Sequence, residues 1–149
     1  MAVIELARVQ GDYGFEAKDE NGYIIRMDTK PEMGGQDFGA RPMQLLLSGL
    51  AGCASIDVIS ILNKQKQEIN GYRVVVNGIR EEGKEPSLWK NIEIEFHLYG
   101  NVDEIKARKA VDLSLEKYCS VAATLTAAGA SIDSNVIIHN GHETIVYTD

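Results

Sequence analysis

Pro42-Met43-Gln44-Leu45-Leu46-Leu47-Ser48-Gly49-Leu50-Ala51-Gly52-Cys53-Ala54-Ser55-Ile56-Asp57-Val58-Ile59-Ser60-Ile61-Leu62 is the stretch on which the fold turns. From Leu45 to Leu62 it carries one charge, Asp57, and apolar or small residues occur all round a helical wheel. A surface helix shows a single apolar stripe, so this pattern predicts a helix buried on most sides. Pro42 suits the first helical turn, where its missing N–H is not needed. The β-branched residues Ile56, Val58, Ile59 and Ile61 would also suit a strand, but eighteen residues is long for one. The run is near the length of a membrane span. Against a span stand Asp57, three serines and two glycines; a charge in mid-span costs roughly 2.5–3.5 kcal/mol on insertion scales. Ser48 and Gly52 stand four apart, as do Gly49 and Cys53, so small residues share faces on which another backbone can approach closely. A helix buried all round in a chain of 149 residues needs more cover than one subunit provides, which points to a dimer.

Composition sets the outer bounds. The length suits one domain, 1–149, large enough for a real core. Hydrophobic residues at 44% and charged ones at 25% are ordinary for a soluble globular protein. The formal net charge of −7 argues against nucleic acid and against anionic membrane surfaces as partners. Met1-Ala2-Val3-Ile4-Glu5-Leu6 has neither a basic start nor an apolar core, so no signal peptide is expected. Two cysteines without an export signal fit a reducing cytoplasm.

Outward from the central helix, the chain alternates between strand and helix signals. Residues 3–9 read as a strand. Residues 13–18 and 23–28 form an expected hairpin, its Asn21-Gly22 pair favouring a type I′ turn. Residues 30–40 read as a Gly-rich loop. Beyond the helix, 72–80 and 91–99 read as strands. In the second, Ile92, Ile94, Phe96 and Leu98 share one face and Glu93, Glu95, His97 and Tyr99 the other, exposed one. Asn101-Val102-Asp103-Glu104 resembles a capping box, with Asn101 as N-cap of an amphipathic helix that places Ala107, Ala110, Val111, Ser114, Leu115 and Tyr118 on one side. Ser120 reads as the N-cap of a short helix that Gly129 ends. Residues 131–139 and 144–148 read as closing strands. The order implies an α+β fold with mainly antiparallel sheet.

Cys53 and Cys119 are the candidate site residues. Cys53 is mid-helix, where burial tends to raise a thiol pKa, and Asp57 one turn on opposes a thiolate unless a cation answers it. Arg41 lies twelve residues upstream, roughly 18 Å along the helix, too far to serve within one subunit. Arg8, Arg26, Arg73 and Arg80 remain open as that cation. Cys119 precedes the expected N-cap Ser120, so the positive end of the short helix should lower its pKa. Taken by residue type alone, both cysteines fit equally well as small core hydrophobes. His97, His139 and His142 are scattered, neither cysteine stands at metal-ligand spacing, and Gly34-Gly35 lacks the P-loop Lys and Ser/Thr. No metal and no cofactor is called for.

Pro42-x-x-Leu45-Leu46-Leu47-Ser48-Gly49-Leu50-Ala51-Gly52-Cys53, followed 66 residues after Cys53 by the Cys119 of Lys117-Tyr118-Cys119-Ser120-Val121, resembles the OsmC/Ohr family along essentially the whole chain. The resemblance implies antiparallel sheets wrapped around two central helices in an intertwined homodimer. It implies reduction of organic hydroperoxides, with Cys53 as peroxidatic thiolate, Cys119 as resolving thiol, a disulfide between them, and an external dithiol as reductant. Two positions depart from the family's pattern. Met43 and Gln44 stand where an acid follows the proline, and Asp12 where the N-terminal hairpin has an arginine. The chain thus resembles a less characterised branch that keeps both cysteines without the usual activating pair. The alternative is a non-catalytic protein binding a small hydrophobic ligand at the dimer interface, or a thiol redox sensor. Which residues would bind substrate is unknown from sequence.

Overall fold

The computed structural model describes residues 1–141, so the expected strand at 144–148 and His142 lie outside the described residues. The chain divides into two compact units, Met1–Leu46 and Leu47–Asp149, and the boundary falls inside the central helix. Architecture is α+β, as the order of elements implied.

In the first unit β1 (Ile4–Gln10), β2 (Gly14–Asp19) and β3 (Ile24–Met27) form an antiparallel sheet in that order. The β2–β3 hairpin does not use a type I′ turn. Gly22 has a positive φ of 91° but Asn21 does not, and Gly22 N–H donates to the Asp19 carbonyl. Asp19 Oδ1 accepts from the amides of Asn21 and Tyr23 at 2.9 and 2.8 Å. Those bonds favour a type I turn followed by a glycine bulge. The 30–40 loop is organised by one carboxylate. Asp28 accepts from the amides of Gln36, Phe38 and Thr29, and these donors hold its carboxyl below the usual aspartate range. Every residue of β1 is exposed.

The central helix, α1 (Pro42–Lys64), starts with Pro42 at its first position. Gln44 reaches back to accept the Arg41 amide at 3.1 Å, half of a capping box. Within one chain α1 is not buried all round. Leu50, Ala54, Val58 and Leu62, spaced four apart, form its buried stripe, while Ile56 is 69% exposed and Leu46 43%. By length and composition alone α1 would also cross a membrane.

In the second unit β4 (Glu68–Arg80), β5 (Trp89–Asn101) and β6 (Ser131–His139) form a sheet in that order. β4 and β5 are antiparallel, but β5 and β6 are parallel. Helical segments between β5 and β6 carry the chain back before β6 begins, as a parallel pair requires. The core face of β5 is the alternating set Ile92, Ile94, Phe96 and Leu98, all fully buried or nearly so.

α2 (Glu104–Leu113) is capped by Asp103, whose carboxylate accepts the Lys106 amide, and not by Asn101, which is still in β5. The amphipathic helix does not continue as α-helix to Tyr118. It widens into a π turn, Ser114–Tyr118. α3 (Ser120–Ala127) is capped by Cys119 rather than Ser120.

Gly78 of β4 faces side chains of both α1 and β5. A Cβ there would stand 2.7 Å from the Trp89 ring and 3.0 Å from Leu47. Gly78→Ala is expected to destabilise the fold by about 1–3 kcal/mol, as overpacking does, read as a lower urea midpoint at unchanged slope.

Candidate active site

Three segments of the second unit bring the cysteines together. α1 carries Cys53 at its middle, with Gly49 one turn before and Asp57 one turn after. Gly49 faces Val121 of α3, whose methyl lies 4.0 Å from where a Cβ would be. Ser114, at the start of the π turn, donates its hydroxyl to Asp57 Oδ2 at 3.1 Å and to the Ala54 carbonyl at 3.3 Å. Contacts on both sides of Cys53 thus seat α1 against the turn that leads into Cys119.

Cys119 is 2% exposed and Cys53 is half-buried; both are free thiols, and Cys53 lies near enough to raise the Cys119 pKa. As N-cap of α3, Cys119 Sγ accepts the Ala122 amide at 3.4 Å. The expectation that this helix end would depress the Cys119 pKa is overturned. Burial pushes the thiol up to about 11, the Cys53 thiol adds to the rise, and the Ala122 amide only partly opposes it. Desolvation of a sulfur anion outweighs the amide donors of Ala122 and Val121.

Arg26, Arg73 and Arg80 each have a place of their own in the sheets. Arg26 pairs with Glu16 at 3.2 Å and stacks over Phe38. Arg80 donates to the Ser87 carbonyl at 2.6 Å and lies over Trp89. Arg73 pairs across the ladder with His97, on the sheet face opposite the one that meets α1. Arg8 lies on the exposed β1. Gln44, at one of the positions that depart from the family's pattern, is occupied in capping α1.

Sequence reasoning missed two features. Ser114 appeared only as one small residue on an amphipathic face, with nothing to mark its bonds to α1. The histidines are not all scattered, and His97 is not an exposed strand residue. It is 7% exposed, bonded through Nε2 to Glu95 at 2.7 Å and through Nδ1 to His139 Nε2 at 2.9 Å. His139 stacks on Tyr99, with ring centroids 4.3 Å apart. Only the parallel β5–β6 register brings these rings together.

Residues 34–135 match the family model for OsmC-like proteins. The chain belongs to the OsmC-like family. This OsmC-like chain is 36% identical over 115 residues to the protein YhfA of Escherichia coli, covering 76% of this chain and 82% of that protein. It is also similar to the crystal structure of a hypothetical protein from Aquifex aeolicus, with TM-score 0.81, 30% identity, and 95% and 98% of the two chains covered. An organic hydroperoxide resistance protein, OsmC, from Legionella pneumophila shares the fold, with TM-score 0.68, 16% identity, and 91% and 96% covered.

The thiols of the OsmC-like chain are chemically unequal, and alkylation reads this. Cys119 keeps its proton to about 11 when folded, against an ordinary value of 9.0. Iodoacetamide at about pH 8 is therefore expected to spare Cys119, because the thiolate is the nucleophile. Cys119 becomes reactive only in denaturant, as peptide mapping would show. The stability that goes with the raised pKa is complete below 9.0 and is lost as pH rises through about 11.

Proposed function

We propose that the chain is a thiol-dependent reductase of organic hydroperoxides, acting through Cys53 and Cys119. The observation that carries this reading is the nearness of two free thiols 66 residues apart in sequence, close enough for one to shift the pKa of the other. Because Cys119 is the more buried of the two and holds its proton to about 11, the attacking role falls to the more accessible Cys53. The Cys53 thiolate attacks the terminal peroxide oxygen and the O–O bond breaks. The alkoxide takes a proton and leaves as alcohol, and Cys53 becomes a sulfenic acid. The Cys119 sulfur then attacks Cys53, its proton leaves with the sulfenic hydroxyl as water, and a disulfide closes. An external dithiol reduces that disulfide by exchange and restores both thiols. Family membership supports this substrate class, as does the likeness to the organic hydroperoxide resistance protein of Legionella. Two adjacent free thiols suit a reducing cytoplasm.

The catalytic unit is a homodimer of the single domain 1–149. Ile4, Leu6 and Val9 on β1 and Ile56 on α1 are each more than half exposed, apolar surface that water disfavours and a second copy would cover. A second reading has a specific observation in its favour. A cleft of about 420 Å3 beside Asp57, lined also by Ser60, Ile61, Lys64, Leu113 and Tyr118, has the size of a small-molecule site. In that reading the chain binds a hydrophobic ligand and the thiols act as a redox sensor.

Intact-mass analysis after cumene hydroperoxide separates the two readings. Reduced wild type should lose two hydrogens per chain, Cys119→Ser should gain one oxygen at Cys53, and Cys53→Ser should not change. Unmodified thiols in wild type at high peroxide would leave ligand binding as the function. Light scattering should give twice the chain mass, and a monomer would remove the dimer from the proposal.

A further inference from the structure

Ser114 touches the immediate surroundings of both sulfurs. It is 0% exposed. Its backbone carbonyl accepts the Cys119 amide at 2.8 Å, the i to i+5 bond that makes the π turn. Its hydroxyl reaches the other way, to Asp57 Oδ2 at 3.1 Å and the Ala54 carbonyl at 3.3 Å. Ala54 is bonded to Cys53 in the chain, and Asp57 stands one turn further along α1. One buried residue therefore holds the backbone beside each thiol.

The widened turn has a geometric consequence. An ordinary α-helical turn would spend the Ser114 carbonyl on residue 118. The π turn passes that bond to Cys119, which leaves the helix with extended φ and ψ of −71° and 103° and becomes the N-cap of α3. Its sulfur then lies against α1. A serine hydroxyl has one proton for two acceptors, and the Asp57 oxygen is the nearer, so the Asp57 bond is the stronger of the pair. Asp57, which by sequence opposes a thiolate, here serves the structure, with its carboxylate turned to Ser114.

We infer that Ser114 is the positioning residue that sets the separation of Cys53 and Cys119 and so the ease with which their disulfide forms. This inference rests on the reading of the two cysteines as a disulfide-forming pair. Holding two groups at reacting distance raises their effective concentration, and slack between them lowers it.

The test is the equilibrium of the full-length protein with a glutathione redox buffer. There two protein thiols and oxidised glutathione give the Cys53–Cys119 disulfide and two reduced glutathiones. Ser114→Ala, which keeps the backbone bond and removes both hydroxyl bonds, should lower the equilibrium constant at least tenfold, about 30 mV for this two-electron couple. Asp57→Asn keeps an acceptor oxygen and should shift it much less than Asp57→Ala does. Val111→Ala, in a fully buried α2 position, should lower the melting temperature without moving the constant.

A folded Ser114→Ala with the wild-type constant overturns the inference. So does an equal shift in Val111→Ala, or a wild type that forms no intramolecular disulfide at any glutathione ratio. If Ser114→Ala does not fold, Asp57→Ala carries the test, and an unchanged constant there overturns it as well. Glutathione supplies the oxidising equivalents, so a wild type oxidised by glutathione but not by cumene hydroperoxide ends the peroxidase reading alone.

Discussion

Leu50, Ala54, Val58 and Leu62 repeat every four residues along α1, and all four are fully buried. That stripe seats the helix in the second unit, and the position of Cys53 follows from it. Removing a buried leucine side chain of this kind costs about 2–5 kcal/mol, so the helix has little freedom to rotate or slide. The residues beside the stripe are then committed. Gly49 faces Val121, Asp57 meets Ser114, and Cys53 is turned to Cys119. Hydrophobic burial fixes the helix, and a few polar bonds aim what the helix carries.

Placing two thiols in a largely buried contact has a chemical cost that the surroundings distribute unevenly. Desolvation opposes ionisation, and it falls most heavily on Cys119, which is almost wholly buried. The two thiols are unequal as a result: Cys119 holds its proton to a higher pH than an ordinary thiol. A pair of equally exposed thiols would lack this order. The Ala122 and Val121 amides at Cys119 moderate the effect without reversing it, because neutral donors, the first at 3.4 Å from sulfur, are a weak counterweight to burial.

Much of the fold was legible in local pattern. The alternation Ile92, Ile94, Phe96, Leu98 identified the core face of β5, and Pro42 with the long apolar run marked the start and length of α1. Caps were less legible. Asn101 and Asp103 are both good N-cap residues, and the choice between them was made by β5 running on to Asn101. Cys119 took the cap that Ser120 was expected to fill, because the π turn shifted the helix end by one residue. The Asn21-Gly22 turn changed type for a similar reason: Asp19 supplied two bonds that only the type I geometry could use.

Periodicity and residue chemistry were enough to encode an α+β chain, a long central helix, and two cysteines in motifs characteristic of one family, while the single buried stripe of that helix appeared only in the packing. Long-range packing was needed for the parallel pairing of β5 with β6, the burial of His97 against His139, and the bridge from Ser114 to Asp57. The partners in the last two contacts are 42 and 57 residues apart. Their meeting depends on strand register and helix rotation, which are set by the packing of whole elements. A residue's neighbours along the chain carry no record of that packing, so a lone serine on an amphipathic face looked like any other.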